Sequence, residues 1–311
     1  MRTTGNPMLN SSKNGPIPQA EGAVSFTLEQ LYRRGRAALA ALPGAGDNSP
    51  MEAAFLFRHI FGIGREELFL RGQEPASPEQ AGAFLALIRR RLEGEPLQYL
   101  LGEWEFYGLD FFVGPGVLIP RPETELLVEA ALESVRGIPS PSLLDLCSGS
   151  GCIPIALGHA LPQAQAWGVE LSPPALGYFR QNLAAHRLPN VTAVEGDIFA
   201  LPEDITWRRY HAITANPPYI PKKELPNLQA EVQREPPLAL DGGEDGLDFY
   251  RRLPGICLPL LEPGGWLLLE IGEGQGEAVS SLLAAAGFQH MQVKADLSGL
   301  ERLVRGQAPR R

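Results

Sequence analysis

Apolar residues near the start of the chain recur at helical spacing: Leu28, Leu31 and Leu39, then Ala54, Phe55 and Phe57. Helix-start signals sit in front of them. Thr27 with Gln30 has the form of a capping box. Ser49 to Glu52 and Ser77 to Gln80 both place proline straight after a serine cap. The spacing predicts a small helical bundle over 25–98. Over 99–122 the pattern changes to "WEFYGLDFFVGPGVLIPR", rich in aromatics with glycines at turn positions, which predicts a β-hairpin linker. "PETELLVEAALESV" returns to helical spacing, with Thr124 as the expected cap and Glu125 in the first turn. From Ser142 onward, "SLLDLC", "QAWGVEL", "VTAVEG", "YHAITAN" and "GWLLLEIG" alternate with helical stretches. That alternation predicts an α/β domain over 123–311, with a doubly wound and mainly parallel sheet. Residues 1–24 are polar and rich in Pro and Gly, as expected of a disordered leader, and the final "GQAPRR" reads as a loose end.

Composition narrows the function classes. The 311 residues carry 36 acidic and 27 basic side chains, a formal charge of −9. This argues against a protein whose main work is gripping a nucleic-acid backbone, which needs clustered Lys and Arg. Cys147, Cys152 and Cys257 form no CxxC pair. They read as reduced thiols of a cytoplasmic protein without a zinc site. No apolar run approaches a membrane span, and the N-terminus lacks a signal-peptide core.

The first predicted strand runs into "LLDLCSGSGCIPIAL", a glycine-rich turn between strand and helix. Gly149 and Gly151 allow a ligand to approach the backbone closely. About twenty residues on, the second strand ends at Glu170, placed to accept from ribose hydroxyls. A dinucleotide and S-adenosylmethionine both suit such a site. The turn lacks the third glycine of G-x-G-x-x-G and the lysine of a P-loop. Asp145, close to the turn, suits a ligand with a cationic amino group better than a pyrophosphate. S-adenosylmethionine is therefore the expected cofactor. The third strand leads to Asp197, placed to accept from the adenine amino group, and Ile198, which would cover the ring face. A turn cap is the plainer reading of Asp197.

The fourth strand ends in Asn216-Pro217-Pro218-Tyr219. Open α/β sheets bind ligands at this carboxyl edge, and two prolines stop the ladder and stiffen the loop. The Asn216 side-chain oxygen and the Pro217 carbonyl can each accept one N–H of a planar NH2 group, and Tyr219 can stack on it. An amide or exocyclic amine is a poor nucleophile. Fixing both N–H bonds orients the nitrogen for in-line methyl transfer.

Together, "GEPLQYLLGEWEFYG", "VLIPRPETELLVE", "LLDLCSGSGCIPIAL", "ANPPYI" and "EPPLALDGGEDGLDFYRRL" resemble the HemK/PrmC group, the peptide chain release factor N5-glutamine methyltransferases. The likeness runs from about residue 26 to 306. It implies an N-terminal helical domain that docks substrate, a hairpin linker and a Rossmann-like class I methyltransferase domain. It also implies methyl transfer from S-adenosylmethionine to the glutamine amide of the Gly-Gly-Gln loop in class-one release factors. By this resemblance Cys147, Ser148, Gly149, Ser150 and Gly151 contact the cofactor, with Glu170 on its ribose, Asp197 and Ile198 flanking the adenine, and Asn216 beside it. Asn216, Pro217, Pro218 and Tyr219 hold the glutamine amide. Cys147 departs from the family's usual glycine. An ordinary extended backbone is expected there, leaving only Gly149 and Gly151 constrained. Arg121 is expected either to orient a ligand or to form a surface salt bridge, and "REPPLAL" (residues 234–240) to lie over the site as a lid, with Glu235 either part of it or solvated.

Three rival readings remain. An adenine-N6 methyltransferase acting on DNA or RNA would use the same Asn-Pro-Pro-Tyr logic, but it must extrude its base and bind phosphates. Ribosomal-protein glutamine methyltransferases share that motif and usually differ at "RPETE". A non-catalytic docking module would have no use for Asn216 and Tyr219.

Overall fold

The computed structural model describes residues 26–42 and 49–310. The leader expected over 1–24 lies outside them, as does the Ser49 side chain expected to cap a helix. Between Ile88 and Arg89 the chain divides into two compact units.

The first unit contains α1 (Leu28–Leu39), α2 (Ser49–Phe61), α3 (Arg65–Arg71) and the beginning of α4 (Pro78–Leu92). The Thr27 cap forms as expected: its hydroxyl accepts the Gln30 N–H at 3.3 Å, and the Gln30 side chain accepts the Thr27 N–H at 3.0 Å. Ser77 caps α4 in the same way, accepting from the Gln80 N–H at 3.1 Å. Leu31, Leu39, Leu56, Phe57 and Phe84 are buried. The Phe57 ring lies 4.4 Å from Phe61 and 5.4 Å from Phe84. Gly35 permits this packing, since a Cβ there would sit 2.6 Å from the Phe84 ring. The buried stripe of α2 is Ala53, Leu56 and Phe57, whereas Phe55 points outward at 38% exposure. Its neighbours in sequence are apolar, so periodicity alone misassigned the face.

The second unit opens with the end of α4 and α5 (Leu97–Leu101), followed by β1 (Glu103–Phe106) and β2 (Leu109–Phe112), which pair antiparallel. Tyr107 and Gly108 both have positive φ, at 53° and 73°. Two such residues form the tight turn whose twist matches a hairpin. A short 3-10 turn, Pro122–Thr124, runs directly into α6 (Glu125–Ser134). Thr124 has helical backbone angles and makes no side-chain cap bond, so it is not the expected cap.

The remaining elements alternate: β3 (Ser142–Leu146), α7 (Cys152–Ala160), β4 (Gln165–Glu170), α8 (Pro173–His186), β5 (Val191–Glu195), α9 (Glu203–Thr206), β6 (Tyr210–Ala215), α10 (Asp248–Cys257), β7 (Leu261–Glu270), α11 (Gly276–Ala285), β8 (Gln289–Ala295) and β9 (Glu301–Gln307). The sheet order is β5-β4-β3-β6-β7-β9-β8. All five strands expected from apolar runs are present and parallel, with β3 at the centre. From β3 the chain winds outward through β4 and β5, then returns to add β6 on the other side. This reversal makes the carboxyl ends of β3 and β6 the topological switch point, where such sheets open a crevice.

The antiparallel pair β8 and β9 is a finding beyond the sequence reading. It corrects the loose end expected for "GQAPRR": Gly306 and Gln307 pair with Leu267 and Trp266 of β7. Ala308 then donates its N–H to the Gly265 carbonyl at 2.8 Å. Polar residues obscured β9 because they are buried with partners. Arg305 lies 4.8 Å over the Trp266 ring and donates to Gln292 at 2.9 Å and to Ser134 at 3.1 Å.

Asn182, fully buried on α8, ties the hairpin to the glycine-rich turn. It accepts from the Phe112 N–H at 2.7 Å and donates to the Phe112 and Ser150 carbonyls at 3.1 and 2.9 Å. Replacing Asn182 by Ala removes all three bonds and should lower unfolding free energy by about 2–4 kcal/mol, read from urea denaturation.

Candidate active site

The turn after β3 is built from left-handed residues. Gly149 and Gly151 have φ of 55° and 80°, and a Cβ on Gly151 would fall 2.0 Å from the Phe179 ring. Cys147 also has φ of 60°, which overturns the expectation of an extended backbone there. For a residue with a side chain this conformation costs roughly 1–2 kcal/mol. The turn imposes it. Ser148 donates its N–H to the Val169 carbonyl of the neighbouring strand, and Gly151 donates to Ser148 at 2.8 Å. The Cys147 side chain packs against the core beneath β6 and β7 in partial compensation. Burial, followed by the nearby Glu170 and Asp145 carboxylates, pushes its thiol well up, so it remains protonated.

Glu170 ends β4 with each oxygen engaged by a main-chain N–H. Gly149 donates to one at 2.7 Å and Ser172 to the other at 2.7 Å. The carboxylate lines a cleft and keeps further lone pairs for a ligand. Asp145 lies beneath the turn and does not line the cleft. It accepts from the Thr214 hydroxyl at 2.7 Å, while its second oxygen finds no hydrogen-bond partner among the described residues. Burial raises its pKa to about 7. The Ser150 hydroxyl, also buried, is likewise unpartnered among the described residues. The Ser150 hydroxyl, the left-handed glycine cradle and the Glu170 carboxylate line the cleft as a donor and acceptor set suited to a ligand with a diol, while Asp145 stays beneath the turn.

Ser148, Gly149, Ser150, Asp197, Ile198 and Asn216 line the same cleft as Cys147 and Glu170; Gly151 sits behind them at the start of α7. Asp197 accepts from the Phe199 N–H at 2.8 Å, a turn bond that uses one of its oxygens. Phe199 and Phe249 also line the cleft, their rings 5.4 Å apart, with the Arg252 guanidinium 3.3 Å over Phe199. Residues Val117 to Pro120 form the opposite wall. Sequence patterning gave no sign of either wall, because both consist of apolar residues indistinguishable from core.

Asn216 leaves β6 at the switch point and donates through Nδ2 to the Thr124 hydroxyl at 3.3 Å. Pro217 and Pro218 are buried, and only Pro218 of the two reaches the cleft wall. Tyr219 is half-buried and packs against the core under β6 and β7, outside the cleft lining. Its carbonyl accepts from Gln275 at 3.1 Å, and burial raises the pKa of its phenol. Close backbone approach fixes this loop: a Cβ on Gly242 would meet Tyr219 Cα at 2.7 Å.

Pro236, Leu238 and Ala239 line the cleft, which agrees with the lid expected over 234–240. Glu235 is not solvated. Its side chain is 1% exposed, forms an ion pair with Arg121 and accepts from the Ile119 N–H at 2.9 Å. Arg121 thus makes a salt bridge, but to a buried partner. The strap is extended by Arg234, which donates to the Glu93 carbonyl at 2.8 Å, and by Arg91 paired with Glu231 at 2.5 Å.

Residues 30–102 match the family model described as the PrmC N-terminal domain, and residues 143–235 match one described as a methyltransferase domain. A release factor glutamine methyltransferase of Geobacter sulfurreducens is 43% identical over 261 residues, covering 84% of this chain and 90% of the relative. One of Moorella thermoacetica is 43% identical over 279 residues, covering 89% and 97%. The hMettl16 catalytic domain, solved in complex with MAT2A 3'UTR hairpin 6, overlays with a TM-score of 0.54 at 16% identity, covering 74% of this chain and 82% of that one. At that identity the likeness is one of fold: a class I methyltransferase sheet.

Asp145 provides a pH test. Its folded pKa of about 7 lies above the ordinary carboxylate range, so the folded protein binds the extra proton and this residue's contribution to stability falls as pH rises. Asp145→Asn should therefore gain stability relative to native between about pH 4 and pH 7 and level off above it, as measured by urea midpoints across that range.

Proposed function

The chain belongs to the release factor glutamine methyltransferase family, and from that premise we propose that its cleft serves methyl transfer from S-adenosylmethionine to the side-chain amide nitrogen of the glutamine in the Gly-Gly-Gln loop of class-one release factors. The observation that carries this reading is the position of Asn216. It stands at the switch point beside the Cys147–Gly151 turn, with the donor half of its amide already occupied by Thr124. The other half, Oδ1, is the one left to accept an N–H. The Pro217 carbonyl is the second acceptor in this reading.

S-adenosylmethionine, when bound, supplies a methyl group activated by a sulfonium. Its fit rests on the glycine cradle, on the lone pairs that Glu170 retains for the ribose, and on Asp197 and Ile198 for the adenine. Cys147, Ser148 and Ser150 complete the turn that holds it. Asn216 and Pro217 hold the substrate amide so that the nitrogen lone pair faces the methyl rather than delocalising into the carbonyl. The nitrogen gains a carbon bond and sheds a proton, which leaves readily from an alkylated amide, so no strong base is required beforehand. Tyr219, packed against the core outside the cleft lining, would have to turn toward the cleft to stack on the planar group. The lid over 234–240 excludes water. The helical segment over 25–98 is assigned to docking of the release factor.

The adenine-N6 alternative draws no support from the relatives, which are named release factor glutamine methyltransferases. Among the described residues no helix is long and apolar enough to cross a membrane.

Incubation of a class-one release factor with the protein and labelled S-adenosylmethionine should place one methyl on the loop glutamine, read by mass spectrometry; label on an oligonucleotide instead would overturn the reading. Asn216→Ala should slow transfer at least about tenfold with cofactor affinity nearly unchanged, whereas Glu170→Ala should chiefly weaken cofactor binding in calorimetry.

A further inference from the structure

Glu270 closes β7, buried to 1% exposure, and neither of its side-chain oxygens finds a hydrogen-bond partner among the described residues. A buried carboxyl left in that state is costly and calls for a reason. Its surroundings supply one. Ala215 pairs with Leu269, so the next step along the two parallel strands sets Asn216 beside Glu270. Thr124, also buried, accepts from Asn216 Nδ2 at 3.3 Å. Burial raises the Glu270 pKa to about 7. The Thr124 hydroxyl draws it down most strongly, Glu123 opposes this, and Arg302 and the Asn216 amide also lower it.

A primary amide has two ends of nearly equal size. Turned one way, Asn216 presents Oδ1 to an incoming N–H. Turned the other way, it sets donor against donor. Thr124 alone cannot choose, because a hydroxyl donates or accepts equally well. An ionised carboxylate only accepts. Beside an ionised Glu270, a Thr124 proton turned toward the carboxylate would leave the Thr124 oxygen to accept from Asn216 Nδ2. The amide is then locked with Oδ1 outward.

We propose that Glu270 is a positioning residue for methyl transfer, acting through Thr124 to fix which end of the Asn216 amide meets the substrate. This rests on the role given above to Asn216. The unfilled geometry of the carboxyl is consistent with it, since hydrogen bonds in empty sites are often long and tighten when the site fills.

Single-turnover transfer to a class-one release factor, with labelled S-adenosylmethionine, tests the relay in the full chain. Glu270→Leu should lower kcat about tenfold, with KM for the release factor and the cofactor dissociation constant within about twofold of native. Glu270→Gln, which retains an oxygen acceptor, should recover part of the loss. Combining Glu270→Leu with Asn216→Ala should be no slower than Asn216→Ala alone, because the relay works only through that amide. A native kcat for Glu270→Leu, or losses that multiply in the double variant, would overturn the proposal. If the leucine variant fails to fold, Thr124→Val removes the middle of the relay and should show the same loss in kcat. A native rate for Asn216→Ala would instead remove the underlying reading, whereas a slow Asn216→Ala beside a native Glu270→Leu would remove the relay alone.

Discussion

Two main-chain N–H groups converge on one carboxylate, and the active cleft depends on that convergence. Glu170 takes Gly149 on one oxygen and Ser172 on the other, each at 2.7 Å. This joins the turn after β3 to the start of α8 and holds three residues of the turn at positive φ. A single side chain therefore shapes the cradle, and an unbonded turn would have no reason to retain a left-handed Cys147.

Among the described residues four acidic side chains are buried, and their partners separate their roles. Glu170 and Glu235 are compensated, the first by backbone donors and the second by Arg121 and the Ile119 N–H. Asp145 and Glu270 are not fully compensated, and both are pushed up to about 7. Replacement of such groups by apolar residues is often neutral or stabilising, so their cost to the fold is better explained by the site they adjoin.

Much of the architecture was legible because β3, β6 and the carboxyl end of β7 are buried on both faces and read as apolar runs, while the edge strand β5, partly exposed, was marked by its alternation with helical stretches. The glycines of the turn, Glu170 and Asn216 were legible because each ends a predicted strand. Strands β8 and β9 were hidden for the opposite reason: their polar residues are satisfied by distant partners such as Glu133 and Ser134. Thr124 looked like a helix cap because threonine before a helical stripe usually is one, yet its hydroxyl answers to Asn216, 92 positions away. Cys147 was misjudged because sequence cannot say which residues of a turn bear the left-handed strain. No local pattern marks Glu235 as buried, since its partners are more than a hundred residues distant.

The order of strands β7-β9-β8 carries a consequence for biogenesis. β8 emerges from the ribosome before the strand that connects it to the sheet, and at ordinary elongation rates it waits for about a second. Throughout that interval it is an orphan ribbon in water. Its composition suits the wait: Gln289, His290, Gln292 and Lys294 leave little greasy surface for a wrong partner to seize. The polarity that concealed this strand from sequence inspection thus doubles as protection for the nascent chain.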